Sequence, residues 1–573
     1  MNRIDWLVLI LILSGIIAYG LYKSRTEKNL DGYFLSNRSM PWYLILLSVM
    51  GTQASAITFL SAPGQAFTDG MRFVQYYFGL PLAMIVICIS FVPLFSKLKV
   101  YTAYEFLEQR FNLNTRVFTS FLFLLSRGLS TGISIYAPAI ILSSLFGWNI
   151  YLTNILMGGL LIIYTVSGGA KAVAYTQQLQ LAIIFVGMII AAYMIVHLLP
   201  NGVGFTDALK ISGSSGKLNV ITTGLSSKGF NWNDKYNLFS GIIGGFFLAL
   251  SYFGTDQSQV GRYLTAKNDK ESKVGLLMNG LVKVPMQFGI LLIGALLFTF
   301  YQFTRQPIFF NQVVHEQLLQ SSEKNNALQL ENTYNQINQQ KQQVLAHWND
   351  NTLLAKQQLQ QLNNQAADVK NNYQQLLQKA GINGDTNDTN YIFLRFVIDY
   401  LPHGLVGLLI AIIFLASWGS IAAALNSLAA TSVIDFHLRF KKSATDMPAN
   451  FDDALSKYHI SKYYTLAWGI FCIVIAEFVI GMGSLIEAVN VLGSLFYGVI
   501  LGIFLVAFYM KQIKGNAVFW AAILSEVVVV LVFVLNKYNI IGISFLWLNV
   551  IGALLVMLLG LLFQYIFSIR QPV

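Results

Sequence analysis

Two hydrophobic segments of this chain are interrupted by small and polar residues at positions that would lie near the middle of a membrane. The first segment, residues 44–60, carries Gly-Thr-Gln-Ala-Ser-Ala-Ile-Thr at 51–58. The second, residues 239–261, carries Ser-Tyr-Phe-Gly-Thr-Asp-Gln at 251–257. Loosened helix is tolerated in hydrocarbon only where it lines an enclosed or wet cavity, so these segments predict a binding site near the bilayer midplane. The alternative is two structural helices that are merely kinked.

The elements that must hold this site are membrane helices. Of the 573 residues, 55% are hydrophobic and only 11% are charged, which is typical of a polytopic membrane protein and not of a soluble enzyme. Counting apolar runs of roughly 17 to 25 residues gives about thirteen spans. These runs begin near Asp5, Trp42, Phe73, Thr115, Trp148, Thr176, Tyr236, Val274, Pro402, Tyr463, Ser484, Asn516 and Ile541. The first run lacks a small-residue cleavage site and is predicted to be a retained span.

The net charge of +11 does not indicate nucleic-acid binding, because the basic residues are concentrated in alternate loops. The basic loops all fall on one side of the predicted membrane; they are 23–25, 97–99, 262–273, 439–442 and 511–514. By the positive-inside rule that side is cytoplasmic, which places the N-terminus outside and the C-terminus inside. We therefore expect an integral protein of the plasma (inner) membrane that contacts lipid and binds no nucleic acid.

The sequence carries no motif for an intramembrane enzyme. There is no paired-histidine motif and no pair of acidic metal ligands within the spans. The six histidines show no ligand spacing. Cys88 and Cys472 both fall inside apolar runs, so we expect core cysteines without a disulfide or a metal.

One segment, about 304–390, departs from the membrane pattern and is rich in glutamine and asparagine. Apolar residues recur at heptad spacing along its two halves, with Lys341 as the one polar exception. Asn-Asp-Asn-Thr at 349–352 favours a turn between the halves, and Gly381 suits a helix C-terminus. We predict an external antiparallel helical hairpin; a disordered loop is the alternative. Because such a hairpin is marginal alone, we expect it to dock on the membrane domain or on a partner protein.

Five motifs resemble those of the sodium/solute symporter family, which includes sodium-coupled carriers of sugars, proline, pantothenate and iodide. They occur in the family's order: DGYFLSNRSMPW at 31–42, YTAYEFLEQRF at 101–111, SGG at 167–169 with AVAYT at 172–176, TDQ at 255–257 with Arg262, and NSLAAT at 426–431 with Asp435. The resemblance implies an all-α polytopic fold with a LeuT-like core of two inverted five-helix repeats. The first and sixth core helices would be 42–62 and 237–260, which are the two interrupted segments.

The resemblance divides the chain into three parts. Residues 1–303 would form the N-terminal span and core helices one to seven, and 391–573 core helices eight to ten with the C-terminal spans. The insertion 304–390 lies outside the resemblance, and we expect it to be dispensable for transport. The resemblance further implies import of a small organic solute by sodium-coupled symport with alternating access.

Aligned by motif, the family's sodium site falls on the carbonyls of Gly51 and Ala54 and on Ala416, Gly419 and Ser420. Backbone carbonyls that a helix break releases from their hydrogen bonds, together with hydroxyl side chains, are suitable ligands for a hard cation. Because these ligands are uncharged, the site stays nearly neutral. The family usually has a hydroxyl residue where this chain has Gly419, so Ser420 is the only hydroxyl side chain assigned to the ion. Ser417 is the alternative hydroxyl on this helix.

A second sodium ion has little to bind in this chain. Family members with an additional sodium often carry aspartate where this chain has Gln177. Ala422 and Ala423 replace hydroxyl residues expected near that extra site. We therefore expect one sodium ion per solute.

The solute cavity is predicted to be lined by side chains that face the two interruptions. The candidates are Gln53, Ser55, Thr58, Tyr252 and Phe253, with Lys283 and Asn490 corresponding by alignment to polar positions of sugar carriers. Tyr252 falls where sugar symporters place an aromatic residue of the inner gate. The alternative for each of these side chains is a packing role.

Two features of the sequence bear on the class of solute. Ser-Ala-Pro at 61–63 resembles the helix break in carriers of monocarboxylates, vitamins and iodide, and Arg72 just beyond it would attract an anion. An organic anion is therefore favoured, with sugar-like or sialic-acid-like solutes next. Two alternatives stay open: a transporter-like membrane sensor, and a proton-coupled symporter that uses Lys283 or the surroundings of Gln177.

Overall fold

The computed structural model describes residues 2–24, 35–98, 100–227, 229–346, 348, 352–382, 386–440, 451–479 and 482–569. Within these residues the chain is almost entirely helical. The helices before the insertion are Arg3–Ser24, Trp42–Gln53, Ala56–Asp69, Leu80–Val86, Val92–Leu98, Glu105–Arg110, Leu113–Phe146, Ile150–His197, Phe205–Ser214, Gly245–Gly254, Gln257–Tyr263 and Asp269–Phe303. Those that follow are Gln312–Leu319, Lys324–Ala346, Thr352–Lys379, Ile392–Tyr400, Leu405–Thr431, Leu438–Phe440, Phe451–Ala476, Leu485–Tyr509, Gly515–Lys537 and Phe545–Ile569.

Short irregular elements connect these helices. The 3₁₀-helical turns are Ser36–Arg38, Met71–Tyr77 and Thr389–Tyr391, and the π-helical turns are Ile87–Phe91, Ser240–Gly244 and Ser432–His437. One small antiparallel ribbon pairs strand Leu225–Ser226 with strand Gly229–Phe230.

Each of the thirteen predicted membrane segments is helical. In the described part of the chain, ten helices are long and apolar enough to cross a membrane, and the bent pair Trp42–Gln53 and Ala56–Asp69 supplies an eleventh crossing. Two shorter apolar helices, Ile150–Ile163 and Ser240–Gly254, account for the remaining two segments. The predicted all-α polytopic fold is therefore confirmed.

Both predicted helix breaks are present. Trp42–Gln53 and Ala56–Asp69, which we call the first broken helix, meet at an angle of 61° across Ala54 and Ser55. Gly245–Gly254 and Gln257–Tyr263, which we call the second broken helix, are separated by Thr255 and Asp256. Asp256 begins the second half because its carboxylate accepts the Ser258 amide at 2.8 Å, an N-cap interaction.

The Ser-Ala-Pro-Gly sequence at 61–64 does not interrupt the helix, since Pro63 lies within Ala56–Asp69. Small residues here serve close packing instead. A Cβ atom on Gly64 would lie 2.0 Å from the carbonyl oxygen of Thr389, and one on Gly294 would lie 2.1 Å from that of Pro63. Backbones therefore touch on both sides of this helix, as small residues allow in membrane proteins.

The predicted hairpin consists of Lys324–Ala346 and Thr352–Lys379, preceded by the short helix Gln312–Leu319. Buried apolar residues join the three helices, among them Leu318, Ala327, Tyr334, Ile337, Ala366, Tyr373 and Leu377. The predicted turn at 349–351 lies outside the described residues, as do residues 31–34 of the first motif.

The hairpin docks on the membrane domain. Gln342 donates to the Phe303 carbonyl at 3.1 Å, and Asn363 donates to the Ser215 hydroxyl at 3.3 Å. Leu345 and Leu359 form a buried cluster with Ile211 of the helix Phe205–Ser214. These contacts supply the stabilisation that a marginal two-helix seam lacks by itself.

Candidate binding site at the two broken helices

A cavity of about 100 Å³ lies between the two broken helices. Six of the seven residues predicted to contact the solute line it: Gln53, Ser55, Thr58, Tyr252, Phe253 and Asn490. Tyr76, Tyr77, Arg127, Ile486, Val489 and Tyr497 complete most of the wall. The cavity is therefore mainly aromatic and aliphatic, with a few polar groups that converge on it, as small-molecule sites usually are.

The structure does not place Lys283 in this wall. Lys283 is fully buried on the helix Asp269–Phe303, and its Nζ lies 5.7 Å from the ring centroid of Tyr77, which does line the cavity. Its side chain is thus one layer behind the surface that a solute would touch. Motif alignment predicts where a residue lies along a helix. It does not predict the rotation of that helix about its axis, which decides which neighbours the side chain contacts.

Arg127 is the cationic residue in the cavity wall that the sequence analysis did not single out. Its guanidinium donates to the Ser258 hydroxyl, and it donates to Tyr252 Oη at 3.4 Å. Its Nε has no hydrogen-bond partner and lies 3.9 Å from the Asp256 carboxylate. An arginine inside the apolar run 113–146 was the available signal, because charged residues within membrane spans usually have a function.

The floor of the cavity is an interlocked group of aromatic and polar side chains. Tyr252 accepts a hydrogen bond from Gln259 Nε2 at 2.8 Å, and its ring packs edge-on against Phe253 with centroids 4.9 Å apart. Tyr497 donates to the Asp256 carboxylate at 2.9 Å. This packing holds Tyr252 beneath the space where a solute would lie.

The break in the first broken helix loosens backbone carbonyl groups. The Ser55 amide donates to the Gln53 carbonyl, and the Thr58 amide donates to the Ser55 carbonyl. In a continuous helix these two amides would instead bond to Gly51 and Ala54. The two carbonyls predicted to bind sodium are therefore those that the break relieves of their helical partners.

Gln177 joins the first broken helix to the helix Leu405–Thr431. Its Nε2 donates to the Gly419 carbonyl at 3.0 Å, and its Oε1 accepts from the Ser48 hydroxyl at 2.9 Å. A Cβ atom on Gly51 would lie 2.9 Å from Gln177 Cγ, and one on Gly419 would lie 3.3 Å from the same atom. The structure thus brings Gly51 and Gly419 together, on either side of one amide side chain.

The hydroxyl groups on the helix Leu405–Thr431 fit a sodium site. Ser420 donates to the Ala416 carbonyl at 3.0 Å and to the Ser417 carbonyl at 3.1 Å, which leaves its oxygen lone pairs available. The Ser417 hydroxyl is fully buried and has no hydrogen-bond partner. A buried hydroxyl without a partner provides a neutral oxygen ligand of the kind that a hard cation prefers.

The region predicted to lack a second sodium site is apolar. Val173, Ala422 and Ala423 form a small buried hydrophobic cluster. The nearby Thr176 hydroxyl donates to the Val173 carbonyl of its own helix at 3.0 Å.

Contacts close the cavity towards both sides of the protein. On the hairpin side, the hydroxyls of Ser61 and Ser484 lie 3.4 Å apart, and Tyr76 donates to the Asn490 side chain at 2.9 Å. This closure agrees with the cavity's small volume, since ligand pockets usually measure about 300–1,000 Å³.

On the opposite side, four charged residues from three helical regions form one ionic cluster. Arg116 contacts Glu108 at 2.8 Å and Asp435 at 2.7 Å, and Arg439 contacts Glu108 at 2.5 Å. Hydrogen bonds from Arg439 and then Arg116 lower the pKa of Glu108. Glu108 therefore stays ionised at neutral pH, and its contacts with Arg116 and Arg439 tie these helices together.

Comparison with known proteins identifies the family. The model of the sodium:solute symporter family matches residues 33–324 and 376–525. The sodium/sialic acid symporter NanT of Aliivibrio fischeri is 24% identical over 98% of this chain and 93% of its own length. SiaT of Proteus mirabilis, also a sodium/sialic acid symporter, is 24% identical over 99% and 95%. The human sodium/iodide cotransporter is 27% identical over 51% of this chain and 44% of its own.

A solved structure has the same fold. The substrate-bound outward-open state of a Na⁺-coupled sialic acid symporter superposes with a TM-score of 0.74 at 23% identity, covering 99% of this chain and 98% of the other. The predicted fold and sodium coupling are confirmed by these matches, and the relatives are transporters rather than enzymes. The chain belongs to the sodium:solute symporter family and is an integral membrane protein that couples sodium to the transport of an organic solute.

Proposed function

We propose that this protein imports a carboxylate-bearing sugar, or a closely related organic anion, together with one sodium ion. The observation that carries the proposal is the Arg127 guanidinium in the wall of the central cavity. Arginine presents a planar fork of donors that matches a carboxylate, and its Nε has no hydrogen-bond partner in this structure. A solute carboxylate would use donors that the protein leaves available.

The remaining polar wall suits a hydroxylated solute. Gln53, Asn490, Ser55 and Thr58 supply amide and hydroxyl groups around an otherwise apolar space. The Gln53 Oε1 is buried without a hydrogen-bond partner, so it can accept from a solute hydroxyl. The two relatives that match nearly the whole chain are sodium/sialic acid symporters, which supports the same class of solute.

Sodium would be held by the carbonyls of Gly51 and Ala54, the carbonyl of Ala416 and the Ser420 hydroxyl, with Ser417 as an additional ligand. Bound there, sodium supplies positive charge that links the first broken helix to the helix Leu405–Thr431. Gln53 and Ser55, which line the solute cavity, adjoin these carbonyls in sequence. When sodium binds and orders the backbone at the helix break, it therefore also orders Gln53 and Ser55 for the solute. Bound solute favours sodium binding in the same way, and this reciprocity couples the two ligands.

Alternating access would follow from the two closures. The Ser61–Ser484 contact opens to admit ligands from the hairpin side, while the Glu108–Arg116–Arg439 cluster keeps the other side shut. Release requires the reverse arrangement, in which that cluster separates.

We place the hairpin and the N-terminus outside the cell. Asp5 accepts a hydrogen bond from the Gly404 amide at 2.5 Å, and Arg395 on the adjoining helix donates to Gln312 at 2.9 Å just before the hairpin. The opposite side carries the basic loops, and there the Lys514 amide donates to Gln564 near the C-terminus. The positive-inside rule supports a cytoplasmic location for that side in the plasma membrane.

The proposal is tested by uptake into proteoliposomes under an inward sodium gradient. Labelled N-acetylneuraminate and glucuronate should accumulate, whereas glucose should not. Arg127→Gln should lower kcat/KM at least about 30-fold, since truncating one member of a buried charge pair costs about 2 kcal/mol or more. Arg305→Gln, at a side chain 74% exposed, is the matched control and should behave as wild type.

Three results would contradict parts of the proposal. Equal uptake of glucose would remove the carboxylate requirement. Accumulation under a proton gradient but not a sodium gradient would reject sodium coupling. Normal uptake by Arg127→Gln would show that the solute lies elsewhere in the cavity.

A further inference from the structure

A second and much larger cavity, of about 1230 Å³, lies beneath the hairpin. We call it the vestibule. Its floor includes Gln65 of the first broken helix and Ser484 and Glu487 at the start of the helix Leu485–Tyr509. The same two helices line the central cavity and meet at the Ser61–Ser484 contact. The vestibule therefore adjoins the closed exit of the central cavity.

The acidic residues of the vestibule are all paired. Arg72 bonds to Asp69 at 2.9 Å and to Asp234 at 2.8 Å. Lys370 bonds to Asp388 at 2.8 Å, and Lys235 pairs with Glu487. Each of these four carboxylates contacts a cation, but Arg72 serves two of them, so the paired groups together carry a net charge of −1.

Two lysines of the vestibule, Lys217 and Lys341, form no ion pair with any described carboxylate. Lys217 donates to the Thr68 carbonyl, and its Nζ lies 5.0 Å from the ring centroid of Phe298. Lys341, the polar exception in the hairpin's apolar seam, is only 3% exposed and forms neither an ion pair nor a hydrogen bond with any residue that the structure describes. With these two lysines, five cationic side chains and four carboxylates line the vestibule, which leaves a net charge of +1.

This arrangement is not explained by the stability of the fold. Burying a charge without a partner is unfavourable, and an apolar residue would suit the seam better. Burial, with the neighbouring charge of Lys217, lowers the pKa of Lys341 to about 8. Burial likewise lowers the pKa of Lys217 to about 8; the charge of Asp69 opposes this shift, and the charge of Lys370 adds to it. Both side chains still carry a proton at neutral pH, so an anion would relieve their mutual repulsion.

We propose that the vestibule is an anion-binding site, in which Lys217 and Lys341 hold a carboxylate-bearing solute before it passes the Ser61–Ser484 contact. The identity of the solute class rests on the proposed function above. Amide side chains in the same wall can bond to solute hydroxyls; they include Gln65, Gln302, Gln360, Asn363, Asn364 and Gln374. The net positive charge of the vestibule also raises the local concentration of anions.

The hairpin is half of this site. It supplies Lys341 from the helix Lys324–Ala346, whereas Lys217 comes from the loop that follows Phe205–Ser214. The two charges meet only when the hairpin is docked. Central transport would not need the hairpin, but capture of dilute solute would.

Binding in the absence of sodium separates this site from the central one, which needs sodium for tight solute binding. The full-length protein, purified in a choline buffer at pH 7, is studied by saturation-transfer NMR with glucuronate and glucose. The two sugars differ only in the C6 group, which is a carboxylate in glucuronate and a hydroxymethyl group in glucose. We expect a signal for glucuronate and none for glucose. The double variant Lys217→Gln/Lys341→Gln should bind glucuronate about ten-fold more weakly, because it loses charge-assisted bonds.

The matched control is Lys379→Gln, which removes a lysine that is 69% exposed on the same hairpin and paired with Glu323. It should leave the signal unchanged. Arg127→Gln should also retain it, because that residue belongs to the central cavity. A signal lost in Arg127→Gln but kept in the double lysine variant would overturn the vestibule site. Absence of sodium-driven uptake, in contrast, would overturn only the proposed function.

A second measurement uses the wild-type chain, so it does not depend on the folding of a variant. Reductive methylation of Lys341, followed by mass spectrometry, should slow several-fold in glucuronate and not in glucose. Equal labelling rates in the two sugars would overturn the proposal.

Discussion

Replacing Ser420 by alanine provides the sharpest test of the ion site. Ser420 donates its proton within its own helix, to Ala416 at 3.0 Å and Ser417 at 3.1 Å, so its oxygen remains able to bind a cation. A bond from a neutral group to a charged one contributes about 1.5–3 kcal/mol. Ser420→Ala should therefore weaken apparent sodium affinity by about 10- to 150-fold. The fold should be nearly unaffected, because the lost helix back-bond contributes little.

The assay is the sodium dependence of solute uptake in proteoliposomes, together with sodium-induced thermal stabilisation of the purified protein. Ser427→Ala is the matched control, because Ser427 makes the same back-bond, to Ala423 at 2.9 Å, on the same helix. It should show wild-type sodium affinity.

Ser417→Ala separates the two candidate hydroxyls. In the absence of sodium this variant should be slightly more stable than wild type, since it removes a buried hydroxyl that has no partner. If sodium affinity falls in Ser417→Ala and stays normal in Ser420→Ala, then Ser417 is the side-chain ligand. If both variants retain normal sodium affinity, the assignment of the ion to this helix is wrong.

Three further predictions concern the solute, the stoichiometry and the hairpin. Tyr252→Ala should impair solute uptake more than sodium-induced stabilisation, because the ring lies under the solute; equal loss of both would indicate a packing role. The reversal potential should correspond to one sodium per solute, since the cluster around Ala422 is apolar; a value for two sodium ions would contradict this. Replacing residues 310–385 by a short Gly/Ser linker should preserve the maximal sodium-driven rate while raising KM several-fold. Loss of the maximal rate with normal membrane insertion would show that the hairpin belongs to the outer gate.

The broken helices could be predicted because their residues conflict with the hydrocarbon that surrounds them. Small and polar residues in an apolar run predict a break wherever a cavity can solvate it, and the breaks occur at Ala54–Ser55 and Thr255–Asp256. Ser-Ala-Pro at 61–63, which resembles the helix break of other carriers, lies within a continuous helix in this chain. A proline lacks only one amide donor, and the helix Ala56–Asp69 tolerates this loss, so proline alone does not locate a break.

The side chains around the central cavity were predicted less completely. Periodicity identifies the buried face of an amphipathic helix, but the helix Leu405–Thr431 is buried on nearly every side. In such helices no pattern shows which residues meet the ligand. Lys283 was predicted to line the cavity but lies behind Tyr77. Arg127 does line the cavity, and it comes from a helix that no motif marked.

The position of Lys341 could be inferred from the sequence, whereas its function could not. Ile337 and Leu345 lie four residues before and after it, on one face of the helix, and both are buried. A lysine between them must therefore face the docked surface rather than water. Its partner charge, Lys217, comes from a distant loop, and only the docking contacts of Gln342 and Asn363 bring the two together. A pair of cations that forms only through tertiary packing has no signature in either segment alone.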